Sequence, residues 1–217
     1  MSATTHYRSK ILMGDMSAYQ WFMTHAWPRQ LMRNALYLNS GTGRFLEIAH
    51  LAGLASSDWT WAVQLADLDN DGWVDAFFTN GAPRDDMNPD YMQRAREEGS
   101  RSGPAAFGEV LKSIPSAADA NLAFRNDGDL HFEDVSVSWG VDHTGVSFGA
   151  CVSDLDGDGD LDLVVNNMNE PASIYRNDGD PKHRVVIRLR GAGANTHGVG
   201  ALVHVQTAST KQQRRLL

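Results

Sequence analysis

The chain is poor in cysteine and has no long apolar segment. Its 217 residues include a single cysteine, Cys151, so no internal disulfide can form and pairing says nothing about the redox compartment. Cys151 falls in a predicted strand, where we expect a small, buried hydrophobic side chain. No apolar run is long enough to span a bilayer. The first ten residues also lack the apolar core of a signal peptide, so this stretch predicts neither membrane insertion nor a secretion signal.

Positive charge is also scarce. The chain carries 19 lysines and arginines against 27 aspartates and glutamates, which gives a formal net charge of −8. Nucleic-acid-binding domains normally present a basic face to the phosphates. The basic runs at 184–190 and 211–215 are more simply explained as solvated faces of strands. The charge balance therefore argues against a nucleic-acid partner.

Aspartate, in contrast, is concentrated in two copies of one pattern. Each copy spans nine residues and places carboxylates at positions 1, 3, 5 and 9 with glycine at position 6: Asp67-Leu-Asp-Asn-Asp-Gly-Trp-Val-Asp75 and Asp154-Leu-Asp-Gly-Asp-Gly-Asp-Leu-Asp162. Glycine permits the sharp turn that directs alternate side chains inward. Carboxylates crowded in this way repel one another unless a divalent cation lies among them.

This spacing predicts two calcium sites. Calcium accepts six to eight oxygen ligands in flexible geometry, whereas the stricter octahedron of magnesium fits the pattern less well. A solvated, Asp/Gly-rich turn is the alternative, but the second copy in the same register disfavours it. The predicted ligands are the side chains at the acidic positions and the residue at position 7, whose carbonyl can complete the shell: Asp67, Asp69, Asp71, Trp73, Asp75, Asp154, Asp156, Asp158, Asp160 and Asp162.

The loops differ from EF-hands at position 12 and in their flanking structure. An EF-hand has a bidentate glutamate at position 12 and helices on both sides, but position 12 is Phe78 in the first loop and Val165 in the second. Each loop is followed by a short apolar run that ends near Asn or Gly, at 76–79 and 163–165, which is typical of a buried strand. We therefore expect each loop to connect two strands.

The two patterns belong to a longer repeat. They start at positions 67 and 154, an offset of 87 residues, and the same offset relates Asn39 to Asn126 and Phe45 to Phe132. A third, partial copy is present, because residues 174–179 repeat residues 123–128 at an offset of 51. Four short strands in each repeat predict propeller blades or a comparable β array.

An insert at about 83–120 separates the first two repeats. Asn88 can cap a helix with Pro89 at its first position and Gly99 just past its end, and residues 105–114 can form a second helix. The insert comes after an outgoing strand, so we expect it at the end of the sheet away from the calcium loop. There it is either a partner-binding surface or a decorative loop.

The expected fold class is all-β: a partial β-propeller with a helical insert and the start of a C-terminal β module. Residues 1–33, rich in methionine and aromatic side chains, are interpreted as an N-terminal cap or an incomplete blade. Residues 34–180 hold the repeats, and residues 181–217 hold a truncated β module.

The strand–loop–strand unit resembles the FG-GAP (VCBS-type) repeat of integrin α-subunit propellers. Phe148-Gly149 precedes the second loop and Gly81-Ala82-Pro83 follows the first, while Trp61-Ala62 and Asn167-Met168 stand at the other two naming positions. Downstream, residues 185–191 and 195–203 are similar to the ASPIC/UnbV domain. The combination resembles the cartilage-acidic-protein-like family. The resemblance implies calcium-stabilised β structure, an extracytoplasmic location, a longer chain that supplies the remaining blades, and a role in interaction or adhesion.

These observations support three functional hypotheses. The leading one is a calcium-dependent interaction, adhesion or scaffolding module with a protein or glycan ligand. The second is a propeller enzyme of the hydrolase type, but the conspicuous aspartates are committed to metal, and the sequence has neither His-Glu-x-x-His nor Gly-x-Ser-x-Gly. We therefore assign no catalytic residue and expect no enzyme activity. The third is a structural segment without a ligand of its own.

Overall fold

The computed structural model describes residues 24–25, 27, 33–85, 88–179, 185, 187–206 and 211–215. The predicted N-terminal cap lies almost entirely outside the described residues. Short antiparallel strands dominate the described part, so the all-β class is confirmed. These strands are β1 (Tyr37–Asn39), β2 (Phe45–Glu47), β3 (Thr60–Ala66), β4 (Asp75–Asn80), β5 (Asp119–Ala120), β6 (Leu122–Asn126), β7 (Phe132–Asp134), β8 (Thr144–Gly145), β9 (Ser147–Ser153), β10 (Asp162–Asn167), β11 (Ser173–Tyr175), β12 (Leu202–Gln206) and β13 (Lys211–Arg215).

The largest sheet has the strand order β3-β4-β6-β7 and is antiparallel throughout. Every residue of β4 is buried, which confirms the buried strand predicted after the first aspartate loop. Phe77 points to one face of β4, and Ala76 and Phe78 point to the other. Because both faces are covered, this strand is apolar at consecutive positions rather than alternating.

A second antiparallel sheet, β11-β10-β9, packs on the first. Phe77 and Ala123 of the first sheet share one hydrophobic cluster with Leu163 and Val165 of the second. Burial of a side chain as large as phenylalanine contributes about 1.5–3 kcal/mol. Hydrogen bonds join the sheets as well, since the Gln64 side-chain amide donates to the Ala150 carbonyl at 2.6 Å. The two aspartate loops are thereby held on neighbouring sheets.

The boundaries of the sheets do not coincide with the boundaries of the sequence repeats. The predicted repeat contains β1, β2, β3 and β4 in order, but β1 pairs with β2 in a separate hairpin. The four-stranded sheet instead combines the last two strands of the first repeat with the first two of the second, β6 and β7. Each sequence repeat therefore contributes to two neighbouring sheets. The described sheets pack against one another and do not close into a ring.

Buried polar side chains connect the sheets at the end opposite the aspartate loops. Asn121 accepts a hydrogen bond from the Asn80 backbone N–H at 2.9 Å and donates to the Ser147 hydroxyl at 3.0 Å. Ser147 in turn donates to Asn167 at 2.9 Å. All four residues are buried, so each bond avoids the cost of leaving a polar group without a partner.

The insert between β4 and β5 is helical, as predicted. It contains α1 (Pro89–Ser102), capped by the Asn88 side chain, and α2 (Pro104–Ser113). The prediction that Gly99 ends the first helix is wrong, because α1 continues to Ser102. Gly99 lies where the two helices meet, and a Cβ there would lie 2.9 Å from the Cβ of Phe107. Among the described residues, no helix is both long and apolar enough to cross a bilayer.

The insert leaves the sheet at the end of β4 that is remote from the aspartate loop. β4 starts at Asp75, the last residue of the loop, and ends at Asn80. A bridge between Ala82 and Ala117 then closes the base of the insert. The helices are thus attached to the sheet end opposite the loop.

Cys151 is exposed, and the prediction that it is buried is wrong. It lies in β9, whose side chains alternate between two faces. Its neighbours Ala150 and Val152 pack against the hydrophobic cluster. Cys151 therefore points to the opposite face, where it pairs with Val164 of β10.

The C-terminal region forms a single described hairpin. β12 and β13 pair antiparallel, with Leu202 opposite Arg215. Lys211–Arg215 is a strand, as expected, whereas residues 185 and 187–190 are described without strand structure. The expectation of a strand at 184–190 is therefore wrong for its described residues, and the predicted C-terminal module stays a prediction.

Candidate metal centres

Each aspartate loop connects two neighbouring strands of its sheet. The first loop joins β3 to β4, and the second joins β9 to β10. Gly72 and Gly159 at position 6 have φ values of +96° and +97°, a left-handed conformation that side chains with a Cβ rarely adopt. Position 4 is also left-handed in both loops, with Asn70 at +61° and Gly157 at +79°. The two loops therefore share left-handed conformations at positions 4 and 6.

Backbone N–H groups hold the loop carboxylates in place. The carboxylate at position 1 accepts from the N–H at position 6 in both loops: Gly72 donates to Asp67 and Gly159 to Asp154, each at 3.1 Å. The carboxylate at position 5 accepts from the N–H at position 7, at 2.7 Å on Asp71 and 2.8 Å on Asp158. The carboxylates at positions 1 and 5 thus accept the same backbone hydrogen bonds in both copies.

Three carboxylates converge in each loop. Oxygens of Asp67, Asp69 and Asp71 lie within 4.8 Å of one another in the first loop. In the second loop the group is Asp154, Asp156 and Asp162. Two ligands of one calcium ion, each at about 2.3–2.6 Å from it, are separated by no more than about 5 Å. The donor type and the spacing therefore both fit calcium.

The electrostatics of the first loop fit a cation as well. Burial raises the pKa of Asp69 above its ordinary value, and the neighbouring carboxylate of Asp71 adds to this rise. A nearby divalent cation would stabilise the ionised form of Asp69.

The aspartates at position 9 also bind the backbone. Asp75 accepts from the N–H of Leu68 at 2.8 Å and from that of Asn126 at 2.9 Å. Asp162 accepts from Leu155 and Asn177 at the same two distances. Each carboxylate thus ties the start of its loop to the turn after the next paired strand. A carboxylate oxygen has more than one acceptor site, so these bonds leave capacity for a cation.

The pKa values of these two aspartates shift in opposite directions. Burial raises the pKa of Asp75 to about 6, and the charges of Asp69 and Asp71 contribute to the rise. Hydrogen bonds from the Asn177 and Leu155 N–H groups lower the pKa of Asp162, helped by the positive charge of Arg176. Ionisation is therefore less favourable for Asp75 than for Asp162.

Two asparagines complete this arrangement, and sequence analysis did not identify their role. The side-chain amide of Asn126 donates to the Val74 carbonyl at 3.1 Å, and that of Asn177 donates to the Leu161 carbonyl at 3.3 Å. The signal was present, because both belong to the Arg-Asn-Asp-Gly run that recurs at an offset of 51 residues. The recurring run is the turn whose asparagine N–H donates to the aspartate at position 9 of each loop.

At position 7 the two side chains differ. Trp73 lies over the turn at Gly128, where a Cβ would come within 2.7 Å of the indole. Asp160 is 1% exposed and accepts a hydrogen bond from the Asn70 side chain of the other loop at 2.8 Å. The sequence pattern predicted that the backbone carbonyls of Trp73 and Asp160 bind the ion, and this stays a prediction. The structure brings the side chain of Asp160 to the neighbouring loop.

Aromatic residues at the first naming position of the FG-GAP motif meet between the two sheets. The Trp61 ring packs edge-on against the Phe148 ring, with centroids 5.1 Å apart. The Trp61 indole N–H also donates to the Gly81 carbonyl at 2.5 Å. The aromatic residue at the start of each unit thus contacts its counterpart in the neighbouring sheet.

Comparison with known proteins agrees with this geometry. Residues 26–78 match the model of an FG-GAP-like repeat, and residues 148–186 match that of the FG-GAP repeat. Each match includes one aspartate loop. The chain is also 28% identical to cartilage acidic protein 1 of Mus musculus over 213 residues, which covers 80% of this chain and 32% of that protein. Identity to cartilage acidic protein 1 of Homo sapiens is 27% over 205 residues, covering 80% and 31%.

The chain spans about a third of the length of these curated relatives. The matched repeats and the relatives confirm the resemblance that the sequence predicted: the chain carries FG-GAP repeats and is similar to cartilage acidic protein 1.

Proposed function

We propose that this chain is a calcium-stabilised interaction module that acts outside the cytoplasm. The observation that carries the proposal is the convergence of three carboxylates in each of two equivalent loops. The FG-GAP matches support it, because each covers one of these loops. The similarity to cartilage acidic protein 1 favours an extracellular, non-enzymatic role over hydrolysis.

Calcium would be bound by the loop carboxylates and would act through folding. The ligands proposed from the structure are Asp67, Asp69 and Asp71 in the first loop and Asp154, Asp156 and Asp162 in the second, with the other predicted positions completing the shells. Ion binding relieves the repulsion among these carboxylates and fixes each hairpin. An ion that binds only the folded state stabilises it by about 2.7 kcal/mol at a concentration 100 times its Kd.

The interaction surface would be sought away from the metal loops. The helices α1 and α2 project from the sheet end opposite the first loop, and they interrupt the 51-residue repeat spacing. Their joint presents a shallow, open surface lined by Arg96, Gly99, Ser100, Pro104 and Phe107. We place a protein or glycan partner at this insert, and the further blades of a longer chain on the exposed sheet faces.

Thermal melting tests the calcium proposal. The chain is melted in EGTA, in millimolar calcium and in millimolar magnesium, together with an Asp69→Ala/Asp156→Ala double variant that removes one ligand from each loop. We expect calcium to raise the Tm of the wild-type chain, magnesium to raise it less, and the double variant to lose most of the calcium effect. Stabilisation of a few kcal/mol corresponds to a shift of several degrees for a chain of this size.

The matched control is Asp129→Ala, which removes an exposed aspartate from the turn between β6 and β7. It should keep the full calcium-dependent rise in Tm. A folded wild-type chain whose Tm is the same in EGTA and in calcium would show that the loops are solvated turns and would remove the basis of the proposal.

A further inference from the structure

The two aspartate loops are in direct contact. The Asn70 side-chain amide at position 4 of the first loop donates to the Asp160 carboxylate at position 7 of the second, at 2.8 Å. The Asn177 side-chain amide donates to the Leu68 carbonyl of the first loop at 2.6 Å, while its backbone N–H donates to Asp162 of the second at 2.9 Å. Two short hydrogen-bonded routes therefore link the loops.

The contact is made where the two patterns differ. Both loops have aspartate at positions 1, 3, 5 and 9 and glycine at position 6. Position 4 is Asn70 in the first loop and Gly157 in the second. Position 7 is Trp73 in the first loop and Asp160 in the second. Both residues at position 4 are left-handed, a conformation that asparagine tolerates better than most residues. Asn70 thus adds a side chain that reaches across, with little change to the backbone path.

The acceptor of this bond is buried. Asp160 is 1% exposed although it carries a carboxylate. A buried carboxylate depends on hydrogen bonds for its stability in the folded chain. Asp160 also lies between Asp158 and Asp162 along the second loop, so its position is tied to that of the neighbouring predicted ligands.

We propose that the two loops bind calcium with positive coupling, transmitted by the bond between Asn70 and Asp160. The inference rests on the proposed calcium function. An ion in the first loop would fix Asp69 and Asp71, and therefore Asn70 between them. Ordered Asn70 holds Asp160, so the second loop has less conformational freedom to lose when it binds its own ion.

Direct repulsion between the two ions acts in the opposite direction. It is screened by salt, with a Debye length of about 8 Å at physiological ionic strength, whereas a hydrogen-bonded contact is affected far less. Couplings between sites are typically about 5–150-fold. We therefore expect the contact to dominate at physiological salt.

The test is a calcium titration of the full chain by isothermal calorimetry at about 0.15 M salt. Asn70→Gly gives the first loop the residue that the second loop already has at position 4, so the backbone conformation is kept and only the bridging side chain is lost. For two coupled sites, the half-saturating calcium concentration changes by the square root of the coupling factor. Loss of a coupling in the typical range should therefore raise this concentration about 2- to 12-fold. The titration should also become less steep.

Two further variants separate coupling from local effects. In an Asp156→Ala background, where the second loop is disabled, Asn70→Gly should leave calcium binding by the first loop unchanged. Gly157→Asn adds the same side chain at position 4 of the second loop and should keep the wild-type steepness.

The proposal is overturned if Asn70→Gly titrates like the wild-type chain, or if it weakens binding equally when the second loop is disabled. It is also overturned if Gly157→Asn reduces the steepness as much as Asn70→Gly does. A wild-type chain that binds no calcium would instead contradict the proposed function itself, and the calorimeter distinguishes that result from two independent sites.

Discussion

Glu47 shows how one carboxylate can organise a segment. Its side chain forms an ion pair with Arg33 and accepts hydrogen bonds from the Ala49 N–H at 2.8 Å and from the Leu36 N–H at 3.4 Å. The hydrogen bond from Arg33, followed by that from Ala49, lowers the pKa of Glu47 to about 2. The ionised carboxylate thus joins the start of the first hairpin to the loop that comes after it.

This lowered pKa predicts a pH-dependent contribution to stability. Because the folded chain holds the proton less tightly than the unfolded chain, ionised Glu47 stabilises the fold at pH values above its ordinary pKa of 4.5. The contribution is lost as the pH falls from there toward about 2. Glu47→Gln should therefore lower the free energy of unfolding at pH 7, and its difference from the wild-type chain should shrink steadily below pH 4.5.

Urea unfolding at a series of pH values measures this difference. Glu109→Gln is the control, because Glu109 pairs with Lys112 on the exposed surface of α2 and such pairs contribute little. A Glu47→Gln effect that stays constant from neutral to acidic pH would contradict the assigned role of the carboxylate.

Gly81, just past the end of β4, shows a constraint at the scale of an element. Its φ is +108°, and it lies so close to β8 that a Cβ would come within 2.8 Å of the Val146 Cα and would collide with the Gly145 carbonyl oxygen. The same residue accepts the indole hydrogen bond of Trp61. The close approach of these two segments needs a residue without a side chain.

Gly81→Ala should therefore be strongly destabilising. An unfavourable backbone conformation costs about 1–3 kcal/mol, and overpacking adds a further 1–3 kcal/mol, roughly. Gly103→Ala is the matched control, since Gly103 has a φ of +91° but open space around its Cβ position. Equal losses in the free energy of unfolding, measured with urea, would show that crowding at Gly81 is unimportant.

Elements with local signals were predictable, and those set by distant contacts were not. The buried run after each loop and the Asn88-Pro89 helix start depend on neighbouring residues, and the structure confirms them. The end of α1 and the face of Cys151 depend on other elements: Phe107 packs against Gly99, and the core lies on the Ala150 side of β9. A sequence pattern shows that a strand alternates but not which face meets the core.

The candidate site divides in the same way. The spacing of Asp67, Asp69 and Asp71 predicted a cluster that the structure brings together. The contacts of Asp75 with Asn126 and of Asp160 with Asn70 join residues 51 and 90 positions apart. A single sequence contains no distance information at that separation, so their roles became apparent only in the folded chain.

At the scale of the whole molecule, the repeat determines the organisation but not the sheet boundaries. A repeat has the same length whichever residue is taken as its start. The sequence therefore could not show that β3 and β4 form one sheet with β6 and β7. Apolar side chains are exposed on both sides of the pair of sheets, with Leu65 59% exposed on one side and Ile174 68% exposed on the other. These are the faces on which the predicted further blades would pack.

The central claim is that each FG-GAP loop holds one calcium ion, and counting bound ions tests it most directly. Equilibrium dialysis against calcium, followed by elemental analysis of the chain, should give two ions in the wild-type chain. Asp69→Ala and Asp156→Ala should each retain one ion. A folded wild-type chain that retains none, or single variants that retain both, would contradict the account.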